Sequence, residues 1–440
     1  MSLVKKNQKY HIILFFFSPI LGLIYGLKNG SLNIIRWSIF LYTVIYGSLF
    51  YSFFSVNIGD RANDGTRHIA KAISHYQYLD FSIWLEELWA ILTLAPINDT
   101  NSDVFIHVVS YISIGVFNTP FLFFTLVAIV YGYFFSGAMA KIISYIDWKS
   151  GYNKFYVYFF VILFILWMQP HNMQTVRTWT GMWVLIYAVL SYHETKNKKY
   201  MILALCPLLI HIGYALLGLG VWLVLFSGFR NPKIYFIIFI LSIFVSNAIE
   251  QAGFLDFASQ TELGANKSKS YYTDDEREEE REEASLESDT NFYKKYTKLG
   301  IHHYVLSAMI IFIFINLRKR GFGKLENTLF SYALAEASFA NFFAFLYAVK
   351  NRSWTIAGFI IIVLMVIVLS KQNLAKEIPF AAIKVKLPLL VIMILFLPLA
   401  LYFLSSFLLY TGLNTFMLPI ITWVFPESGI TIREAIGLIL

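Results

Sequence analysis

Arg177 and His211 occupy positions in this sequence that call for a chemical explanation. Arg177 opens an apolar run just after the polar turn Gln169, Pro170, His171, Asn172 and Gln174. His211 lies inside a later hydrophobic stretch, with Gly213 and Tyr214 behind it. Ionisable groups at such places are costly in lipid, so each requires a partner, a cavity or a ligand. A guanidinium grips phosphate oxygens bidentately. An imidazole, with an unperturbed pKa of about 6.5, takes up a proton near neutral pH. More charge lies in GDRANDGTRH, which holds Asp60, Arg61, Asp64 and Arg67, and in KNRSW, read as a short gap between spans, which holds Lys350 and Arg352. The plainer reading of Arg177 and His211 is a snorkelling arginine and a histidine bonded to a neighbouring helix.

Several other chemistries lack their residues. There is no glycine-rich phosphate loop ending in lysine and serine, and no HExxH pair. His302 and His303 are adjacent rather than helically spaced, which argues against joint metal binding. Asp60 and Asp64 could share a divalent cation, but no fuller carboxylate set accompanies them. We therefore expect no metal and no cofactor. A single cysteine, Cys206, excludes an intrachain disulfide and a cysteine-based metal cluster.

The elements that must position these residues are membrane helices. The 440 residues are 58% hydrophobic and only 14% charged, against about 45–50% and about 25% in soluble domains. The excess lies in apolar runs of spanning length, which predicts an all-α polytopic membrane protein. Its net charge of +8 is distributed over short gaps between those runs, as the positive-inside rule requires, and is no sign of a nucleic-acid partner. We expect one membrane domain over residues 1–440, in contact with membrane lipids and interrupted by two long outer loops. The first, 57–103, is too polar to span and reads as amphipathic helices lying at the interface. The second, 250–299, contains DDEREEEREE at 274–283, eight acids and two arginines with a net charge of −6. Such a segment is ordinarily solvated and without chemistry of its own.

The apolar stretch Tyr200–Phe226 is interrupted by Pro207, His211, Gly213, Gly218 and Gly220. The basic gaps at Glu194–Lys199 and Arg230–Lys233 belong on one side of the membrane. We therefore read the stretch as a broken-helix hairpin turning near His211. About twelve crossings result. In this scheme Asp60, Arg61, Asp64, Arg67, Arg177, His211, Lys350 and Arg352 all face the outer side. Arginines are disfavoured there unless a ligand keeps them, and a membrane-bound pyrophosphate suits such a cluster. The alternative is that they pair with Asp60, Asp64 or Glu336 and hold the bundle together.

In this order the motifs resemble the Wzy-type bacterial polysaccharide polymerases, nearest the EpsG-like branch. Four features carry the resemblance. GDRAND follows the second span; NDTNSDVFIHVVSYISIGVFNTPFLFF leads into the next one; Arg177 begins a span that ends in a lysine-rich turn; and LLIHIGYALL places a histidine before a small residue in a broken helix. Arg352, after aromatics and asparagine, matches a late arginine of the family. No tyrosine closely follows Asp60, a departure from its pattern. The resemblance implies a glycosyltransferase at the outer face of the bacterial inner membrane, without a metal. It would move a growing glycan from undecaprenyl pyrophosphate onto a new lipid-linked repeat unit, and a chain-length regulator is a further partner it allows. His211, Asp60 or Asp64 would supply the base. Arg177, Arg352, Arg61, Arg67, His171 and Tyr214 would bind substrate. An O-antigen ligase and a flippase of lipid-linked sugars are the alternatives.

Overall fold

In the computed structural model, the described residues are 11–50, 64–93, 95, 103–150, 152–251, 291–373, 379–425 and 430–439. Asp60, Arg61 and the acidic segment 274–283 lie outside them. The described residues form helices and no named strand. Four helical segments are long and apolar enough to cross a membrane: Phe121–Tyr145, Lys154–Thr175, Tyr347–Lys371 and Val385–Tyr410. Counting the bent pair Phe292–Lys298 and Ile301–Leu317 as one span makes five.

In chain order, the helices that matter to the site and its surroundings are α1 (Leu32–Ser48), α2 (Asp64–Tyr76), α3 (Phe81–Thr93), α4 (Val104–Ser110), α5 (Phe121–Tyr145), α6 (Lys154–Trp167), α7 (Thr178–Thr195), α8 (Lys199–Leu203), α9 (Pro207–Ile210), α10 (Tyr214–Leu217), α11 (Leu219–Ser227), α12 (Pro232–Gln251), α13 (Lys324–Phe342) and α14 (Tyr347–Lys371). They fall into two compact units. The first comprises residues 1–144, 168–212 and 405–440; the second comprises 145–167 and 213–404.

In the first unit α1 and α5 approach closely through small residues. A Cβ on Gly47 would stand 2.3 Å from the Ala128 methyl, and one on Gly132 would stand 3.3 Å from Thr43. Close backbone approach of this kind substitutes for the hydrophobic drive that helices lack inside lipid. The amphipathic α2 buries Gly65, Thr66, His68, Ile69, Ala72 and Tyr76 along one face. It lays that side of the unit against α4 and the 3-10 turn Pro170–Thr175.

In the second unit α13 is the central helix, packed against α11, α12 and α14. α14 is buried over 94% of its most apolar window, which explains why its sequence carries no amphipathic pattern. At its far end Asn153 Nδ2 donates to the Leu369 carbonyl at 2.9 Å, tying the approach to α6 onto it.

Two boundaries differ from the sequence reading. The stretch expected as two short helices is divided among α8, α9, α10 and α11, with His211 extended between α9 and α10 (φ −154°, ψ 114°). Pro207 opens α9, where its missing N–H is harmless, and the glycines that follow favour repeated breaks. Likewise KNRSW is not a gap: Lys350 and Arg352 belong to the early turns of α14. The interruption falls earlier, between Phe342 and Tyr347. There Phe339 packs its ring on Phe343 at 4.4 Å, and Phe343 packs on Phe345 at 5.9 Å. KNRSW contains neither glycine nor proline to end a helix.

Candidate functional site

Three helix ends of the first unit converge on one carboxylate. Asp103 precedes α4, Arg177 precedes α7 and His211 follows α9. α9 packs against both α4 and α7, which brings positions distant in sequence together. Asp103 has the extended backbone of a helix N-cap, yet its side chain makes no capping bond to α4. It accepts instead from Arg177 Nη1, from the Ile212 backbone N–H at 2.7 Å, and lies 3.3 Å from His211 Nδ1. The Asp103 side chain is fully buried, whereas a quarter of the Arg177 side chain remains exposed. The cluster thus holds a buried anion behind a cation that reaches the surface.

Local backbone geometry aims Arg177. The preceding Val176 is buried with φ 57° and ψ −58°, an uncommon conformation for a β-branched residue. It ends the 3-10 turn, and α7 begins two residues later at Thr178. The helix that Asp103 precedes is anchored in turn. His107, one turn along α4, has Nε2 3.1 Å from the Trp84 carbonyl and Nδ1 2.8 Å from the Tyr76 hydroxyl. Because a carbonyl only accepts, Nε2 carries the proton and Tyr76 donates to Nδ1. That arrangement fastens α4 to α2 and α3.

The electrostatics agree with an ionised Asp103. Burial alone raises a carboxyl pKa. Here it is outweighed by the His211 hydrogen bond and charge, then by Arg177 and the Ile212 amide, so the group is held well below the usual carboxylate range. His68, on the buried face of α2, lies within electrostatic reach of the same residues. Burial first, then Arg177, Arg67 and Lys71, lower its pKa to about 3 against the opposing influence of Asp103, so it stays neutral near pH 7.

An ionised aspartate can only accept hydrogen bonds, so His211 Nδ1 carries a proton whether the ring is charged or neutral. The charge that acts on Asp103 belongs to the imidazolium; in the neutral ring Nε2 is the basic atom. A carboxylate that fixes an imidazole in its proton-accepting tautomer is the arrangement general-base catalysis requires. Arg177 supplies a guanidinium held by Asp103, with a quarter of its side chain exposed. Among the described residues, no three His, Cys, Asp or Glu side chains stand together to hold a metal ion.

The other residues singled out from sequence are distributed differently. Asp64 and Arg67 pair with each other at 2.6 Å, with 46% and 64% of their side chains exposed. His171 is buried in the 3-10 turn, with its ring stacked on Tyr410 at 5.5 Å. Tyr214, fully buried, and Arg352 belong to the second unit, where they lie within electrostatic reach of each other. Asp103 and His68 were not singled out. An aspartate directly before the apolar run VFIHVV is a helix-start signal, but sequence does not show that its carboxylate leaves the cap for Arg177. Compared with known protein families, characterised proteins and solved structures, the chain shows no match.

Proposed function

We propose that this chain is a membrane glycosyltransferase, a polysaccharide polymerase acting on undecaprenyl-pyrophosphate-linked oligosaccharide at the outer face of the bacterial inner membrane. The observation that carries the reading is the convergence of Arg177 and His211 on Asp103, with Arg177 partly exposed. The arrangement of about twelve crossings, with the site on the outer side, belongs to the same proposal.

In the proposed reaction an acceptor sugar hydroxyl attacks the anomeric carbon of the lipid-linked glycan. The hydroxyl proton passes to His211 Nε2 as the carbon–oxygen bond to the pyrophosphate breaks, and undecaprenyl pyrophosphate departs. Asp103 holds the imidazole in place and stabilises the imidazolium that forms. Arg177 offsets the charge developing on the leaving oxygens, the interaction that strengthens most towards the transition state. The pyrophosphate is already a good leaving group, so a modest electrostatic contribution suffices.

The test is the product. Purified protein in lipid vesicles, given a defined lipid-linked repeat unit, should lengthen it into a ladder of lipid-linked oligomers. Transfer to a lipid A core instead would identify a ligase. Movement between leaflets with no new glycosidic bond would identify a flippase.

A further inference from the structure

The second unit contains a carboxyl that the proposed chemistry does not use. Glu336 lies in the middle of α13 with no exposed surface. The surrounding sequence, ALAEASFA, is rich in small residues, so neighbouring backbones come close. A Cβ on Gly220 would stand 2.6 Å from Glu336 Cα and 2.7 Å from its Oε2, so only glycine fits there. The Val221 N–H, near the start of α11, donates to Oε2 at 3.2 Å. Oε1 has no hydrogen-bond partner. Ser353, which faces the carboxyl from α14, also has a buried hydroxyl oxygen without a hydrogen bond.

Among the described residues no cation contributes to the surroundings of Glu336, and α12 brings no titratable group to it. Tyr214 of α10 is the titratable side chain within reach; Arg352 of α14 acts on Tyr214 rather than on the acid. A carboxylate enclosed this way carries a large desolvation cost, against which the backbone N–H groups of Val221 and Gly220 are small compensation. A proton on Oε1 removes the charge and supplies a donor. A small reorientation of the two side chains then lets the Ser353 oxygen accept, and both unpartnered atoms are satisfied together.

We propose that Glu336 is a proton-binding site: a neutral carboxylic acid enclosed by α11, α13 and α14, its Oε1–H directed to the Ser353 hydroxyl. This rests on the second unit alone and is independent of the glycosyltransferase reading. Ionisable groups inside membrane proteins commonly serve as proton relays, and a protonated acid with a serine acceptor is one station of such a relay.

The experiment is infrared difference spectroscopy of the full-length protein in lipid, wild type against Glu336→Gln, at neutral pH in light and heavy water. A protonated carboxyl gives a carbonyl stretch above the amide bands that shifts in heavy water. We expect that band in the wild type and its loss in Glu336→Gln. Its absence from the difference spectrum, or a carboxylate stretch in its place, overturns the proposal. Should Glu336→Gln fail to fold, Glu336→Asp decides the matter: a displaced band supports the assignment and an unmoved one refutes it. Ser353→Ala should shift the band without abolishing it, because only the hydrogen-bond acceptor is lost.

Discussion

Asp103 lies 108 residues before His211, yet its carboxylate stands 3.3 Å from His211 Nδ1 and accepts the N–H of the next residue, Ile212, at 2.7 Å. Two contacts from adjacent positions fix both the direction of the imidazole and the extended backbone that carries it. The break after α9 is therefore held by side-chain chemistry. Arg177 closes the same carboxylate from a third helix end. Removing any one member leaves the others with an unmet charge or donor in a buried place.

Asp103→Ala should destabilise the protein by about 3–5 kcal/mol, the range for deleting one partner of a buried pair. Thermal unfolding in detergent measures this. The double replacement Asp103→Leu with Arg177→Met should recover much of that stability while remaining inactive. Equal stability loss in the double variant would mean that the pair is not the source of the effect.

Asp103→Asn should preserve the shape of the site but lower turnover by about 100-fold or more, the usual scale of acid–base catalysis. Asparagine no longer enforces the tautomer in which Nε2 accepts. Binding of lipid-linked substrate should change only a few-fold. A variant with normal turnover removes Asp103 from the mechanism.

Replacing His211 separates catalysis from scaffolding. If Nε2 is the base, His211→Ala and His211→Gln should both lose about 100-fold or more in turnover at matched protein levels. Glutamine retains a donor for Asp103, so a purely structural histidine would be rescued by it. Near-normal turnover of His211→Gln therefore transfers the base to another group.

Arg177→Lys should weaken binding of the lipid pyrophosphate by about 10–100-fold, because an ammonium cannot reproduce the bidentate fork. The dependence of initial rate on substrate concentration provides the measurement. Unchanged affinity and turnover would favour an arginine retained only for Asp103.

Acidification should destabilise the first unit through His68. Its folded pKa, about 3, lies below the reference value of 6.5, so the unfolded chain binds the proton first. The associated stability is present above about pH 6.5 and is lost as pH falls towards 3, at roughly 1.4 kcal/mol per pH unit in that window. Asp103, also lowered, adds to the loss at the acid end. His68→Gln should flatten the difference between neutral and mildly acidic unfolding temperatures, and an unchanged slope would assign the effect elsewhere.

Composition and apolar run length by themselves determined that this chain is helical and carries helices able to cross a membrane. Satisfying backbone polar groups in lipid leaves few alternatives. The positions of Arg177 and His211 stood out for a related reason, since a charge or imidazole in an apolar run violates the local pattern. Tertiary structure decided what those residues meet. Asp103 looks in sequence like an ordinary helix start, and only the packing of α9 against α4 and α7 turns its carboxylate to Arg177 and His211. Glu336 was read from sequence as a candidate salt-bridge partner, yet the fold surrounds it with Val221, Ser353 and Gly220 instead. The placement of KNRSW within α14 was likewise settled by the aromatic break before it, not by its own charges. Hydropathy reports how each segment meets its solvent. Which polar groups meet each other depends on contacts between segments far apart in the chain, and local patterns carry little record of them.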